Sequence, residues 1–385
     1  MNSTINNKVV TVFKNTNSSA TVMSVAENFK MKRGGVLKSL DIAYETWGKL
    51  NSAKSNVCII FTGLSANTHI TSSDKDTSPG WWDGMVGSSK AIDTDKYYVI
   101  CINSLGSCYG STSPVSINPK TSKPYRLTFP ELSIEDMANA SNLLIQKLGI
   151  KKINLLIGPS MGGMKALAYS VMHQGSVENI ILISTSTQAL PFAIAIRSLQ
   201  REIIRKDILW KSGYYDYDKP PLDGVRMARK LGMISYRSAL EWIERFGRKR
   251  TSGTVINQNT FGIDNTSFEY EIESYLEHHA IKFQNVFDAN CYLYLSRAMD
   301  WFDLAEHSQS TIDALSKTKI KKALVLGVET DILFPITQQK EIYEGLAQGN
   351  TKVEFKTLNC SQGHDSFLVD IETFSKEIKM FLDSI

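Results

Sequence analysis

Residues 153–166 read Ile-Asn-Leu-Leu-Ile-Gly-Pro-Ser-Met-Gly-Gly-Met-Lys-Ala. A short apolar run stops abruptly at Gly158-Pro159-Ser160-Met161-Gly162, and a helix-like segment follows. The pattern is G-x-S-x-G in the context that gives it meaning: strand, sharp turn, helix. Such a turn holds its serine in a strained backbone conformation and pushes the hydroxyl out at the C-terminal end of the strand. Gly158 and Gly162 lack a Cβ, so neighbouring backbone can approach them closely. The amide of Met161 opens a helix, where free N–H groups and the helix dipole favour negative charge. Ser160 is thus the candidate nucleophile, and the motif needs a base and an acid further along the chain.

Around this turn, strand and helix patterns alternate. Val9–Phe13 and Ser39–Thr46 read as early strands, with Lys32-Arg33-Gly34-Gly35 as a hairpin-like turn between them. Val57–Thr62 and Tyr97–Asn103 are continuous apolar runs, as expected of strands buried on both faces of a parallel sheet. Glu131–Leu148 reads as a helix, with Ser133-x-x-Asp136 as its start signal. Ile153–Ile157 leads to the turn, Gly163–His173 is the helix after it, and Ile180–Ser184 the next strand. The alternation lapses after Ser184. Phe192–Arg205, Leu222–Leu231, Ser238–Phe246, Ser267–Phe287 and Leu293–Asp300 all read as helices. It resumes with strand Ala323–Val328, helix Thr337–Leu346, strand Lys352–Thr357 and helix Ile371–Ser384. The implied fold class is α/β, a mostly parallel sheet with helices on both faces. The domain reading is a flexible lead-in over 1–26, a core over 27–187 and 316–385, and a helical lid insertion over 188–315.

The partners of Ser160 come from the second part of the core. Asp331 lies just past Ala323–Val328, and His364 lies in Gln362-Gly363-His364-Asp365-Ser366 after Lys352–Thr357. Both project from the strand ends that carry Ser160, the edge at which open α/β sheets bind ligands. The order Ser, Asp, His is that of α/β-hydrolases. His364 would take the serine proton, and Asp331 would hold the imidazole in the right tautomer. Asp365 is the rival acid, but sequence neighbours rarely aim at one another. His69, His173, His278, His279 and His307 lack this setting. For the oxyanion, Met161 N–H is one donor, and Phe61 or Thr62 N–H the other.

Composition bounds the rest. The 385 residues are 42% hydrophobic and 21% charged, with a formal net charge of +4. That excess is too small, and too scattered, to argue for nucleic acid, though it suits an anionic ligand. The five cysteines form no C-x-x-C pair and no metal-ligand spacing, so no metal is expected and a reducing, cytoplasmic setting is. No apolar run is long enough to predict a membrane span.

Several blocks together resemble the homoserine O-acetyltransferase family of α/β-hydrolase-fold acyltransferases. They are Gly80-Trp81-Trp82-Asp83-Gly84-Met85-Val86-Gly87, Ile92-Asp93-Thr94-Asp95, the run Asn103–Thr112, Ser116-Ile117-Asn118-Pro119, the turn with its double glycine, Asp331-Ile332-Leu333-Phe334-Pro335 and Gly363–Leu368. Gln188–Phe192, Ile196–Glu202 and Arg237–Trp242 look closest to the serine-acylating branch, serine O-succinyltransferase and serine O-acetyltransferase. Gly63-Leu64-Ser65, Ser107 and Ser113 depart from the usual pattern of the homoserine enzymes. The resemblance implies ping-pong transfer of an acetyl or succinyl group from its CoA thioester to the hydroxyl of L-serine or L-homoserine, with no bound cofactor, in cysteine or methionine biosynthesis. It also implies that Arg201 grips the acceptor carboxylate and Asp365 its ammonium group, that Tyr109 lies near the acyl pocket, and that the protein is a homodimer. A neutral ring at Tyr109 favours acetyl over succinyl. An ester or thioester hydrolase with the same triad is the alternative reading. An intact triad argues against a non-catalytic binding protein.

Overall fold

The computed structural model describes residues 19–251 and 268–385. Its centre is an eight-stranded sheet: β1 Thr21–Lys30, β2 Val36–Trp47, β3 Val57–Phe61, β4 Tyr98–Ile102, β5 Ile153–Pro159, β6 Val177–Ile183, β7 Lys322–Val328 and β8 Lys352–Leu358. In space the order is β1-β2-β4-β3-β5-β6-β7-β8. The β1–β2 and β2–β4 pairs are antiparallel and all the others parallel. Every residue of β3 is buried, and so are nearly all of β5, β6 and β7. These continuous apolar runs carry a core on each face of the sheet.

Sequence and structure part company at the N-terminus. The Val9–Phe13 strand expectation lies outside the described residues. The partner across the Lys32–Gly35 turn is β1, which begins at Thr21, so residues 21–26 belong to the sheet and not to a lead-in. A register shift between Ser24 and Ala26 and a positive φ at Asn28 break the alternation that would have marked this strand.

Helix α1, Ile134–Lys147, starts where its capping signal stands. Ser133 Oγ accepts from Asp136 N at 3.1 Å, and Asp136 Oδ2 accepts from Ser133 N at 3.0 Å. Helix α2, Met161–Met172, follows the turn after β5. Between β6 and β7 the described residues form six further α-helices: α3 Pro191–Lys206, α4 Leu222–Tyr236, α5 Ala239–Arg245, α6 Glu271–Phe283, α7 Ala289–Asp300 and α8 Thr311–Ser316. Helix α9, Ile336–Gln348, joins β7 to β8, and after β8 come α10, Ser366–Val369, and α11, Ile371–Leu382.

One residue of α2 breaks the pattern of burial. Lys165 is fully buried, and its Nζ has no hydrogen-bond partner among the described residues. It lies 4.2 Å from the centroid of the Phe61 ring. Burial pushes its pKa down to about 7, against an ordinary value of 10.5. Between those two values the unfolded chain binds the extra proton, so Lys165 makes stability rise with pH across that window. Lys165→Met is expected to be the more stable protein at pH 7 and to lose this part of the rise. Thermal unfolding midpoints of both proteins across that window test it.

Candidate active site

The elbow is built by close approach. A Cβ at Gly158 would lie 2.5 Å from the Gly162 carbonyl oxygen, and one at Gly162 would lie 2.3 Å from that of Phe61. One at Gly163 would collide with the Thr185 side chain at 2.5 Å. With these positions bare, α2 drops into the space between β3 and the end of β6. Ser160 then takes φ 55°, ψ −126°, a conformation that costs on the order of 1–3 kcal/mol and persists only when the surroundings impose it. Here Ser160 N donates to Ile183 O at 2.9 Å, and Thr185 Oγ1 donates to Ser160 O at 2.7 Å.

The three sequence-predicted residues meet at this point. His364 Nε2 lies 2.8 Å from Ser160 Oγ, and His364 Nδ1 lies 2.8 Å from Asp331 Oδ2. Asp331 Oδ1 accepts from Leu333 N at 2.9 Å and Phe334 N at 3.0 Å, so the turn after β7 aims its other oxygen at the histidine. A carboxylate only accepts, so Nδ1 carries the proton and Nε2 is free to accept from the serine hydroxyl. Burial lowers the pKa of His364, but the charge and hydrogen bond of Asp331 outweigh it, and the net shift is upward from 6.5. The imidazolium formed by proton transfer is therefore stabilised in place.

Beside Ser160 opens a cavity of about 260 Å³. Its walls come from the β3–β4 connection (Gly63 to Ala66, Trp81), from α3, α4 and α7 (Arg197, Gln200, Arg229, Ser235, Tyr236, Met299), and from the loops of the acid and base (Leu333, Phe334, His364, Asp365). Asp365 stands in this wall as expected; burial pushes its pKa up, and Arg237, His364 and Arg229 act against that.

Three other expectations land elsewhere. Arg201 does not line the cavity: its Nη1 is held by Ser296 Oγ at 2.9 Å and Asp300 Oδ2 at 2.6 Å. Arg197 does line it, because Ala193, Arg197, Gln200 and Ile204 form the buried stripe of α3. Its Nε is anchored by Asp300 Oδ1 at 2.5 Å, while its buried Nη2 has no partner among the described residues. That helical phase was readable in the sequence. Tyr109 is buried against Phe287, with ring centroids 5.5 Å apart, and is absent from the cavity wall. Phe61 is the last residue of β3, in register with Ile102, its ring against Lys165 and Tyr169. The chain reaches the cavity only at Gly63, and the amides of Gly63, Leu64 and Ser65 make no hydrogen bond with the described residues. Arg229 was missed as well. Its guanidinium lies 4.6 Å from the Phe283 ring and 5.8 Å from that of Tyr236, and its Nε has no partner among the described residues. Nothing in the local sequence singles out this arginine from its neighbours.

Comparison with known proteins gives a consistent picture. The model of the alpha/beta hydrolase fold matches residues 56–370. Serine O-succinyltransferase of Stenotrophomonas maltophilia strain K279a is 52% identical over 358 residues, covering 93% of this chain and 95% of that protein. Serine O-succinyltransferase of Xylella fastidiosa strain M23 is 54% identical over 363 residues, covering 94% and 97%. Among solved structures, homoserine O-acetyltransferase from Bacillus anthracis superposes with a TM-score of 0.85 at 27% identity, covering 94% and 97%. Esterase E22 does so with a TM-score of 0.83 at 29% identity, covering 94% and 99%.

The geometry sets an expectation independent of substrate. A fluorophosphonate probe should label Ser160, with a rate that falls as pH drops through a midpoint above 6.5, because only neutral His364 takes the serine proton. Asp331→Asn should slow labelling by roughly 10⁴-fold through loss of the correct tautomer and move the midpoint down. Rates of probe attachment across pH test both.

Proposed function

The chain belongs to the homoserine O-acetyltransferase family of α/β-hydrolase-fold acyltransferases, and from that premise we propose that this acyltransferase moves a succinyl group from succinyl-CoA to the hydroxyl of L-serine. The observation that carries the choice of substrates is the charge of the cavity wall: two guanidinium groups, Arg197 and Arg229, and one carboxylate, Asp365. A succinyl-enzyme facing serine brings two carboxylates and one ammonium group. An acetyl-enzyme facing serine brings one of each and leaves the buried Arg197 Nη2, which has no partner among the described residues, without an acceptor, a costly arrangement. This replaces the preference for acetyl drawn from Tyr109. The serine O-succinyltransferases at 52% and 54% identity support the same choice.

In this reading His364 takes the proton of Ser160 as its oxygen attacks the thioester carbonyl. The oxyanion is met by Met161 N–H and an amide of the Gly63–Ser65 turn. The C–S bond breaks, His364 returns the proton to the departing CoA thiolate, and a succinyl ester remains on Ser160. Arg197, beside the nucleophile, holds the distal carboxylate of that ester. The acceptor lies between Arg229, which takes its carboxylate bidentately, and Asp365, which takes its ammonium. His364 then removes the proton of the acceptor hydroxyl as its oxygen attacks the succinyl carbonyl, the bond from that carbonyl to Ser160 Oγ breaks, His364 returns the proton to Oγ, and the new ester departs. O-Acylation converts a poor leaving group into a good one, which fits a product destined for β-replacement by a sulfur nucleophile in cysteine synthesis. L-Homoserine as acceptor and acetyl as donor are the competing arms. Helices α3, α4 and α7 act here as the roof that keeps water from the acyl-enzyme. The homodimer would draw on apolar side chains left exposed on α3 to α5, among them Phe192, Leu199, Ile234 and Ile243.

Steady-state assays with succinyl-CoA and acetyl-CoA against L-serine and L-homoserine test the reading. Succinyl-CoA with L-serine should give the highest kcat/KM. Release of CoA that no amino acid accelerates would establish a hydrolase instead. Arg197→Leu should lower kcat/KM for succinyl-CoA by about 100-fold, the loss expected when a charge-assisted contact is removed, and leave acetyl-CoA far less affected. In solution the mass by light scattering should be that of two chains.

A further inference from the structure

We propose that Arg237 is a positioning residue for the acceptor: a resident counter-ion that keeps Asp365 charged and aimed into the cavity until the acceptor's ammonium group arrives. The proposal rests on the reading that Asp365 binds that ammonium.

Arg237 is the first residue after α4, and its fork has two carboxylates. Nη1 lies 2.9 Å from Glu241 Oε1, and Nε lies 3.4 Å from Asp365 Oδ2. The two contacts are unequal. Glu241 is buried, sits one turn along on α5, and holds the guanidinium at full hydrogen-bond distance. Asp365 is partly open to the cavity and is met at the long limit of an ion pair. Arg237 is thus anchored by one acid and lent to the other. A cation placed so stabilises a carboxylate without saturating it, and the second carboxylate oxygen remains available to a ligand.

The position of this arginine is imposed by backbone on both sides. Ser238 Oγ donates to the carbonyl of Ser361 in the loop that carries the base. Gly363, at φ 65°, presents no Cβ; one there would lie 2.9 Å from the Arg237 carbonyl carbon and 3.0 Å from Tyr236 O. The corner Tyr236-Arg237-Ser238 and the loop 361–365 are therefore seated directly against each other, and the side chains of Arg237 and Asp365 meet across that seat. The charged groups facing Asp365 are Arg237 and Arg229 from the α4 side, His364 beside it in its own loop, and Asp331 behind the histidine. Arg229 is the proposed carboxylate ligand, and His364 must be neutral to act as base. That leaves Arg237 as the standing cation that opposes both burial and the nearby Asp331.

Removing it has a directional consequence. Without Arg237 the Asp365 pKa rises further, so the carboxylate that should take the ammonium is lost at higher pH. Arg237→Gln is expected to raise the acceptor KM about tenfold and to shift the acid limb of that KM upward by about one pH unit, the smallest shift usual for losing an adjacent opposite charge; protonation of His364 slows kcat and kcat/KM alike and so cancels from KM. The first half-reaction, CoA release from succinyl-CoA in a single turnover, should stay within about twofold, which also reports that the protein is folded. Arg237→Lys should restore the pH limb. An unmoved acid limb in Arg237→Gln, or a fall in both half-reactions that Arg237→Lys does not repair, would overturn the proposal. Asp365→Asn separates the two layers. If it leaves the acceptor KM unchanged, the assignment of Asp365 fails and this proposal with it. If it impairs the acceptor while Arg237→Gln does not, only the role of Arg237 falls.

Discussion

The structure turns on a steric constraint at the elbow. Gly162 lies against the carbonyl of Phe61 and Gly163 against the side chain of Thr185, at separations no side chain would tolerate. Because those positions are bare, α2 can start within the sheet, and the residue before it is forced to positive φ. The hydroxyl of Ser160 therefore leaves the sheet at its C-terminal edge, where the loops after β7 and β8 also end. Every distance in the site descends from that seating. The backbone of Ser160 is held in this conformation by hydrogen bonds to both sides of the turn, from Ser160 N to Ile183 O and from Thr185 Oγ1 to Ser160 O.

A second layer of organisation comes from the helices between β6 and β7. They contribute no member of the triad, yet they supply both guanidinium groups of the cavity, on α3 and α4. Asp300 at the end of α7 holds Arg197 in place and engages Arg201 with its other oxygen. Buried cations with a fixed anionic support keep an open donor only where a ligand can reach it, and Arg197 Nη2 is such a donor. The corner between α4 and α5 touches the loop 361–365 at Ser361 and Gly363, so these helices and the loop that carries His364 form one continuous packed unit.

Much of this was legible in the chain. Buried parallel strands announce themselves as apolar runs: the whole of β3, and Leu155–Ile157, Ile180–Ile183 and Ala323–Val328 within β5, β6 and β7. The capping box at Ser133 and Asp136 marks α1 to the residue. The triad could be assembled from motif, order and placement at strand ends, because the rules of an open α/β sheet put those ends on one edge. The misses have equally local causes. A bulge hid β1. The sequence points to Phe61 or Thr62 for the second oxyanion donor, and the cavity wall after β3 begins just past them, at Gly63. The family resemblance implies Arg201 as the carboxylate ligand, whereas helical phase places Arg197 on the inward stripe with Ala193, Gln200 and Ile204.

What the sequence determined by itself was most of the elements and the placement of Ser160, Asp331 and His364 at strand ends on one edge, since both follow from short-range patterns: period, capping, and the residue types that a strained turn demands. What only the tertiary structure decided was which charges share the cavity with Ser160. Arg197, Arg229 and Asp365 come from segments far apart in the chain, and their convergence depends on how α3 and α4 pack over the sheet edge. Packing of that kind is a sum of long-range contacts, and no local pattern encodes it.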